Sequence, residues 1–219
     1  MPTSTVENYL KSIFRLDQDT DRELTVGGIA EDLGVTPGTV SSMMRHLSDE
    51  GLIAYVPRKS VTLLREGRQQ ALSVVRRHRL IESFLVEIMK LDWSEVHEEA
   101  EILEHVVSDR LLQRMDEMLG HPSHDPHGDL IPDALGNVAD QDVRSLSEVE
   151  SGRIRIVRVG DSDPRFLDWL RESQMLPGCE LEISGRDLVA GIIEMRILPD
   201  GREIRMGERA AANIDVEAI

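Results

Sequence analysis

The sequence predicts an α+β chain in three parts: a winged helix-turn-helix, a helical middle and a small SH3-like β-barrel. Three observations carry that prediction. Apolar residues recur at helical spacing through most of the chain up to Leu119. Between Gly51 and Leu64 this gives way to two alternating runs around Pro57-Arg58-Lys59-Ser60. From Arg153 onward the period becomes two, with turn signals at Pro177-Gly178 and Asp200-Gly201. The implied domains are 1–73, 74–139 and 153–219, with 140–152 as a linker; 219 residues are enough for one large domain or two to three small ones.

Val6 to Leu16 places Val6, Leu10, Ile13 and Phe14 on one helical face, with Thr5 as N-cap. Asp17-Gln18-Asp19-Thr20-Asp21 is a polar turn. Two short helices follow, separated at Gly34, and the second starts after Thr36 with Pro37 in its first turn. Ile29, Leu33, Val40, Met44 and Leu47 supply their shared contacts, which is the helix-turn-helix pattern with Thr36 to Glu50 as recognition helix. An ordinary helix pair would share this segment's pattern, but the hairpin that follows, with Arg58 and Lys59 at its tip, reads as a wing. Thr36, Pro37, Gly38, Thr39, Ser41 and Ser42 are small and permit close approach. With Arg45, Arg58 and Lys59 they form the candidate DNA surface, weighted toward phosphate contacts.

The net charge of −16 argues against nucleic acid as a partner, but its distribution reverses the argument. Residues 35–80 carry eight Arg and Lys against Asp49, Glu50 and Glu66, a local basic surface.

A long helix is expected from Arg65-Glu66-Gly67 through Ile88, a turn at Leu91-Asp92-Trp93-Ser94 with Ser94 as cap, and one further helix from Glu95 to Leu119. At roughly 100° per residue the second helix gathers His97, Glu101, Glu104 and His105 on one arc beside an apolar face. His78 and Glu82 occupy a matching edge of the first. Imidazoles and carboxylates so arranged make a poor core and a good cation site, and without a thiolate they suit Mn²⁺, Fe²⁺, Co²⁺ or Zn²⁺. A solvated charged face is the competing explanation. The stripe Val107, Leu111, Met115, Met118 and Leu119 suits a partner helix, within the chain or in a second subunit. Gly120 to Asp129 holds three histidines but is dominated by Pro and Gly, and reads as a loop rather than a ligand set.

The barrel strands are expected at Arg153–Val159, Glu180–Gly185, Gly191–Leu198, Glu203–Gly207 and Ala212–Val216, with a short helix from Phe166 to Gln174 and Cys179 buried in a strand. A single cysteine excludes an intrachain disulfide. No apolar run approaches the ~18 residues that cross a bilayer, and Met1 to Ser4 lacks a signal pattern, so a cytoplasmic protein without a membrane partner is expected. The zincin HExxH pattern, a Gly-rich phosphate loop and a GxSxG elbow are all missing, so an enzyme is not expected. A metal-dependent hydrolase is the rival class, and a peptide-binding barrel is disfavoured because its region offers only Phe166 and Trp169 as aromatic residues.

The winged helix-turn-helix, Arg77-His78-Arg79-Leu80-Ile81-Glu82, Val96 to His105 and Asp125-Pro126-His127-Gly128 together resemble the diphtheria toxin repressor and manganese transport regulator family over essentially the full length. The resemblance implies a homodimeric, metal-dependent repressor of metal uptake genes that binds palindromic double-stranded operators. It implies a primary site at Asn8, Glu101, Glu104 and His105, and a second at His78, Glu82 and His97 with Asp163 of the barrel as a further ligand. The family's iron-responsive branch carries cysteine where this chain has Glu101, which points to Mn²⁺, with an iron-responsive regulator as the alternative. Asn8 departs from the family's usual Met or Asp, and Lys11 replaces a glutamate used by some short manganese regulators.

Overall fold

The structure, a computed structural model, describes residues 3–18, 24–139, 141–160, 163–198 and 200–219. From Asp19 on, the polar turn predicted before the second helix lies outside the described residues. The chain divides into two compact units, Met1–His78 with Glu104–Val107 and Pro132–Asn137, and Arg79–Leu103 with Ser108–Ile131 and Val138–Ile219. The helical middle is thus shared between them.

In the first unit, α1 (Ser4–Gln18) starts two residues earlier than expected, because the Thr3 hydroxyl, not Thr5, accepts from Val6 N at 3.4 Å. Thr25 caps α2 (Val26–Asp32) and Thr36 caps α3 (Pro37–Asp49), accepting from Gly28 N and Thr39 N. Gly34 takes the left-handed conformation between them (φ 63°). β1 (Ile53–Val56) pairs antiparallel with β2 (Ser60–Leu63), and Val56 faces Ser60 across the wing tip. The core joins Leu10, Ile13 and Phe14 of α1 to Val40, Met44 and Leu47 of α3, and to Ile53 and Val61 of the wing. Leu10 is fully buried, so truncating it to alanine would cost ~2–5 kcal/mol. The first turn of α4 (Arg65–Glu87) lies against the Leu52 backbone at Gly67, where a Cβ would meet Leu52 O at 2.1 Å.

The single helix expected from Glu95 to Leu119 is two. α5 (Val96–Leu103) stops before Glu104, and α6 (Asp109–Leu119) starts afresh where the Ser108 hydroxyl accepts from Leu111 N at 3.3 Å. Periodicity continued through the break because the four-residue turn keeps apolar residues near their helical spacing, while a serine in mid-pattern is ambiguous between helix and cap. Ser94 does not cap α5; its hydroxyl donates to Asp92 Oδ1 at 2.8 Å and lies 3.1 Å from Asp168.

In the second unit β3 (Arg144–Ser145), β4 (Gly152–Val159), β5 (Glu180–Asp187), β6 (Ile192–Leu198), β7 (Glu203–Gly207) and β8 (Ile214–Ala218) form one antiparallel sheet, ordered β3-β8-β4-β5-β6-β7. α7 (Pro164–Ser173) and the short α8 (Glu208–Ala211) complete it. The segment read as a linker holds β3 and a 3₁₀ turn over Leu146–Glu148. Leu146 is fully buried in the barrel core, and Arg186 donates to the carbonyls of Leu146, Ser147 and Val149. Acidic composition hid this because one apolar anchor and a cation from a distant strand are enough to order it. Cys179 precedes β5 and is half-buried rather than within a strand. Among the described residues no helix is long and apolar enough to cross a membrane.

Candidate metal centres

Within the first unit, α1, α4 and the turn after α5 converge on Glu104, whose side chain is wholly buried. Its Oε1 accepts from Lys11 Nζ at 2.7 Å and its Oε2 lies 2.6 Å from His78 Nδ1. Next to it, His105 Nδ1 is 2.7 Å from Glu7 Oε2. A carboxylate there holds the proton on Nδ1, leaving the Nε2 lone pair exposed to the cluster. That Nε2 is buried, makes no hydrogen bond among the described residues and stands 3.5 Å from Glu104 Oε1. The Asn8 Oδ1 is likewise buried without a hydrogen bond. The unsatisfied His105 Nε2 beside a buried carboxylate costs stability as it stands, as does the Asn8 oxygen, and a cation bonded to such an acceptor would remove that cost.

A second cluster lies wholly in the second unit. Glu82, Asp125 and His127 are all buried, and each offers one ligand atom within 4.8 Å of the others. His127 Nε2 is 2.9 Å from Trp93 O and its ring stacks on Trp93 at 5.3 Å. A carbonyl only accepts, so Nε2 carries the proton and Nδ1 presents its lone pair. Nδ1 makes no hydrogen bond among the described residues and lies 3.9 Å from Glu82 Oε2. Burial, then the charges of Asp129 and Glu82, hold the Asp125 carboxyl well above the usual carboxylate range, with Arg79 opposing. Asp125 Oδ1 also accepts from His127 N and Asp129 N, which shapes the loop around the cluster. Gly128 (φ 93°) closes it, since a Cβ would meet Val157 O at 2.0 Å. Oxygen and imidazole donors without sulfur fit a divalent cation of the harder kind at both clusters.

The predicted ligands are distributed as follows. Glu104, His105 and Asn8 fall in the first unit, together with His78. His97 and Glu82 come together in the second, at 3.2 Å, and Glu101 lies 3.6 Å from His97. Asp163 is the N-cap of α7, its Oδ1 accepting from Arg165 N at 3.0 Å. Sequence reasoning took Asp125 and His127 for loop residues. Their Asp-Pro-His-Gly setting was the available signal, because Pro and Gly can rigidify a loop as readily as loosen one.

The proposed DNA surface is in the first unit. Thr36 at the cap of α3 and Pro37, Gly38, Thr39, Ser42 and Arg45 on it are exposed, and so are Arg58 and Lys59 at the wing tip. Ser41 is half-buried and its hydroxyl donates to Pro37 O at 2.9 Å.

Three profiles cover nearly the whole chain. They are the iron dependent repressor N-terminal DNA binding domain over residues 1–61, the iron dependent repressor metal binding and dimerisation domain over 65–133, and the FeoA domain over 144–218. The chain is 30% identical to the diphtheria toxin repressor of Corynebacterium diphtheriae, with 98% of this chain and 97% of that one covered. The chain belongs to the iron-dependent repressor family. Family members are metal-dependent, DNA-binding transcriptional repressors and not enzymes. Another member, the iron-dependent repressor of Mycobacterium leprae, is 28% identical over the same shares of both chains. Among solved repressor structures, a manganese-dependent transcriptional repressor in complex with manganese is 38% identical, with a TM-score of 0.92 over 98% of this chain and 100% of that one. The repressor ScaR with bound Zn²⁺ is 33% identical, with a TM-score of 0.82 over 98% and 99%.

Proposed function

We propose that this repressor responds to manganese and, as a cytoplasmic homodimer, shuts off metal uptake genes by binding palindromic operators. The observation that carries the choice of metal is the donor chemistry of the two buried clusters. Each offers carboxylate oxygen and an imidazole nitrogen held in its ligating tautomer, and neither contains a thiolate. The similar structure that holds manganese supports the same choice.

Mn²⁺ bound at these clusters would supply the positive charge that their buried carboxylates require. Glu104, His105 and Asn8 would hold it in the first unit, and Glu82, Asp125 and His127 in the second. What the protein does with that charge follows from α1. Asn8 and Glu7 lie on the helix whose Leu10, Ile13 and Phe14 share a core with Val40, Met44 and Leu47 of α3. Fixing α1 against the Glu104–His105 turn therefore fixes the base of the recognition helix. Ordering α3 beforehand removes a conformational cost from operator binding, so metal and DNA each raise the other's affinity. Exposed small residues at the start of α3 admit close approach to phosphates, and Arg45, Arg58 and Lys59 supply charge.

The test is electrophoretic retardation of the promoter of the chain's own operon across Mn²⁺, Fe²⁺, Co²⁺ and Zn²⁺. Retardation should appear with Mn²⁺ at the lowest free concentration and vanish in chelator. Equal retardation in chelator overturns metal dependence of binding, and stronger activation by Fe²⁺ overturns the choice of metal.

A further inference from the structure

We propose that Lys11 is a tethered counter-ion that occupies the Glu104 cluster in the metal-free protein and must be displaced for a metal ion to enter. This rests on the reading of that cluster as a metal site. The Lys11 ammonium is buried, with the residue only 6% exposed, and lies 2.7 Å from Glu104 Oε1. That same oxygen is the one 3.5 Å from the unsatisfied His105 Nε2. A divalent ion held by His105 and Glu104 would bring its charge to that same carboxylate oxygen. A second cation on that oxygen at hydrogen-bond distance would oppose it, at a spacing where charge repulsion in a buried site is strong.

The role of the lysine follows from the cost of burial. Glu104 is wholly buried, and a carboxylate there without a partner would be strongly destabilising. Lys11 offsets that cost in the absence of metal, with His78 on the other oxygen. The cluster therefore stays assembled when empty, and metal gains only the difference between its own interaction and the ion pair it breaks. Glu7 lies four residues back on the same helix face, a partner for the ammonium when it swings away. Lys11 thereby sets the metal concentration at which the cluster fills.

Calorimetric titration with Mn²⁺ would compare the full chain with Lys11→Met, both carrying His127→Ala so that the other cluster contributes no heat. Lys11→Met should bind Mn²⁺ on the order of tenfold more tightly, and should melt at lower temperature than its parent without metal but not with it. Unchanged affinity overturns the proposal. A measurement on the unaltered chain is independent of how the variant folds. The Lys11 ¹⁵Nζ resonance should be protected from exchange in the metal-free protein and lose that protection as diamagnetic Zn²⁺ is added, in step with the shift of His105. A shift at His105 with Lys11 unmoved overturns the counter-ion role alone. No Zn²⁺-induced change at either residue overturns the metal site itself, and the proposal with it.

Discussion

At Asp125 burial and the neighbouring carboxylates pull in the same direction, against Arg79 and the Asp129 backbone N–H. Its carboxyl is held up by burial and by the neighbouring charges of Asp129 and Glu82, so the folded protein binds a proton there at a pH where the unfolded chain has released it. The sign follows directly. As pH rises past the ordinary carboxylate range, ionising Asp125 costs the metal-free fold stability, and a cation beside it restores that stability. Metal affinity at the second cluster should therefore rise with pH until Asp125 ionises unaided. Asp125→Asn should weaken Mn²⁺ binding and release about one proton fewer per ion. Calorimetry in buffers of different ionisation heat would measure this, and an unchanged proton count would contradict it.

Between residue and domain, the deciding element is the break between α5 and α6. Ser108 ends one pattern and starts another, and the four residues it sets off, Glu104–Val107, join the first unit while both flanking helices join the second. Ser108→Ala should cost ~1 kcal/mol of stability through the lost cap. It should also loosen the Glu104–His105 turn, seen as a lower melting temperature and weaker metal binding at the Glu104 cluster, with the second cluster unaffected. The sequence displayed the helices, the wing and most barrel strands because each has a long apolar period or a turn signal. It showed the ligand types of His97, Glu101, Glu104 and His105 as one stripe, because an angular plot cannot see a four-residue interruption. Asp125 and His127 escaped because loop ligands have no periodicity, and Lys11 because a buried ion pair across 93 residues leaves no local trace. Leu146 was hidden in an acidic stretch for a related reason: one apolar side chain is too little to register as a pattern.

For the molecule as a whole, the exposed apolar face of α6 matters most. Leu111 and Met118 are half-exposed on a helix whose sole buried residue is Asp116, and Met115 lies on the same face. The family's matching segment is a dimerisation domain, and palindromic sites call for two recognition helices at fixed separation. One protomer alone would keep its wing and its basic surface, where the charge of residues 35–80 opposes the −16 of the chain. On the palindromic operator proposed above it would reach only half the site, and its binding would rest on phosphate contacts that weaken steeply with salt. The double variant Leu111→Asp, Met118→Asp places charges on this face without touching either cluster. Sedimentation should then show a monomer that binds Mn²⁺ with the affinity of its parent, and operator affinity should fall by more than about tenfold, toward that for unrelated DNA. A variant that stays dimeric would put the interface elsewhere. A monomer that holds the operator as tightly as the parent would mean that a single recognition helix and wing supply the specificity.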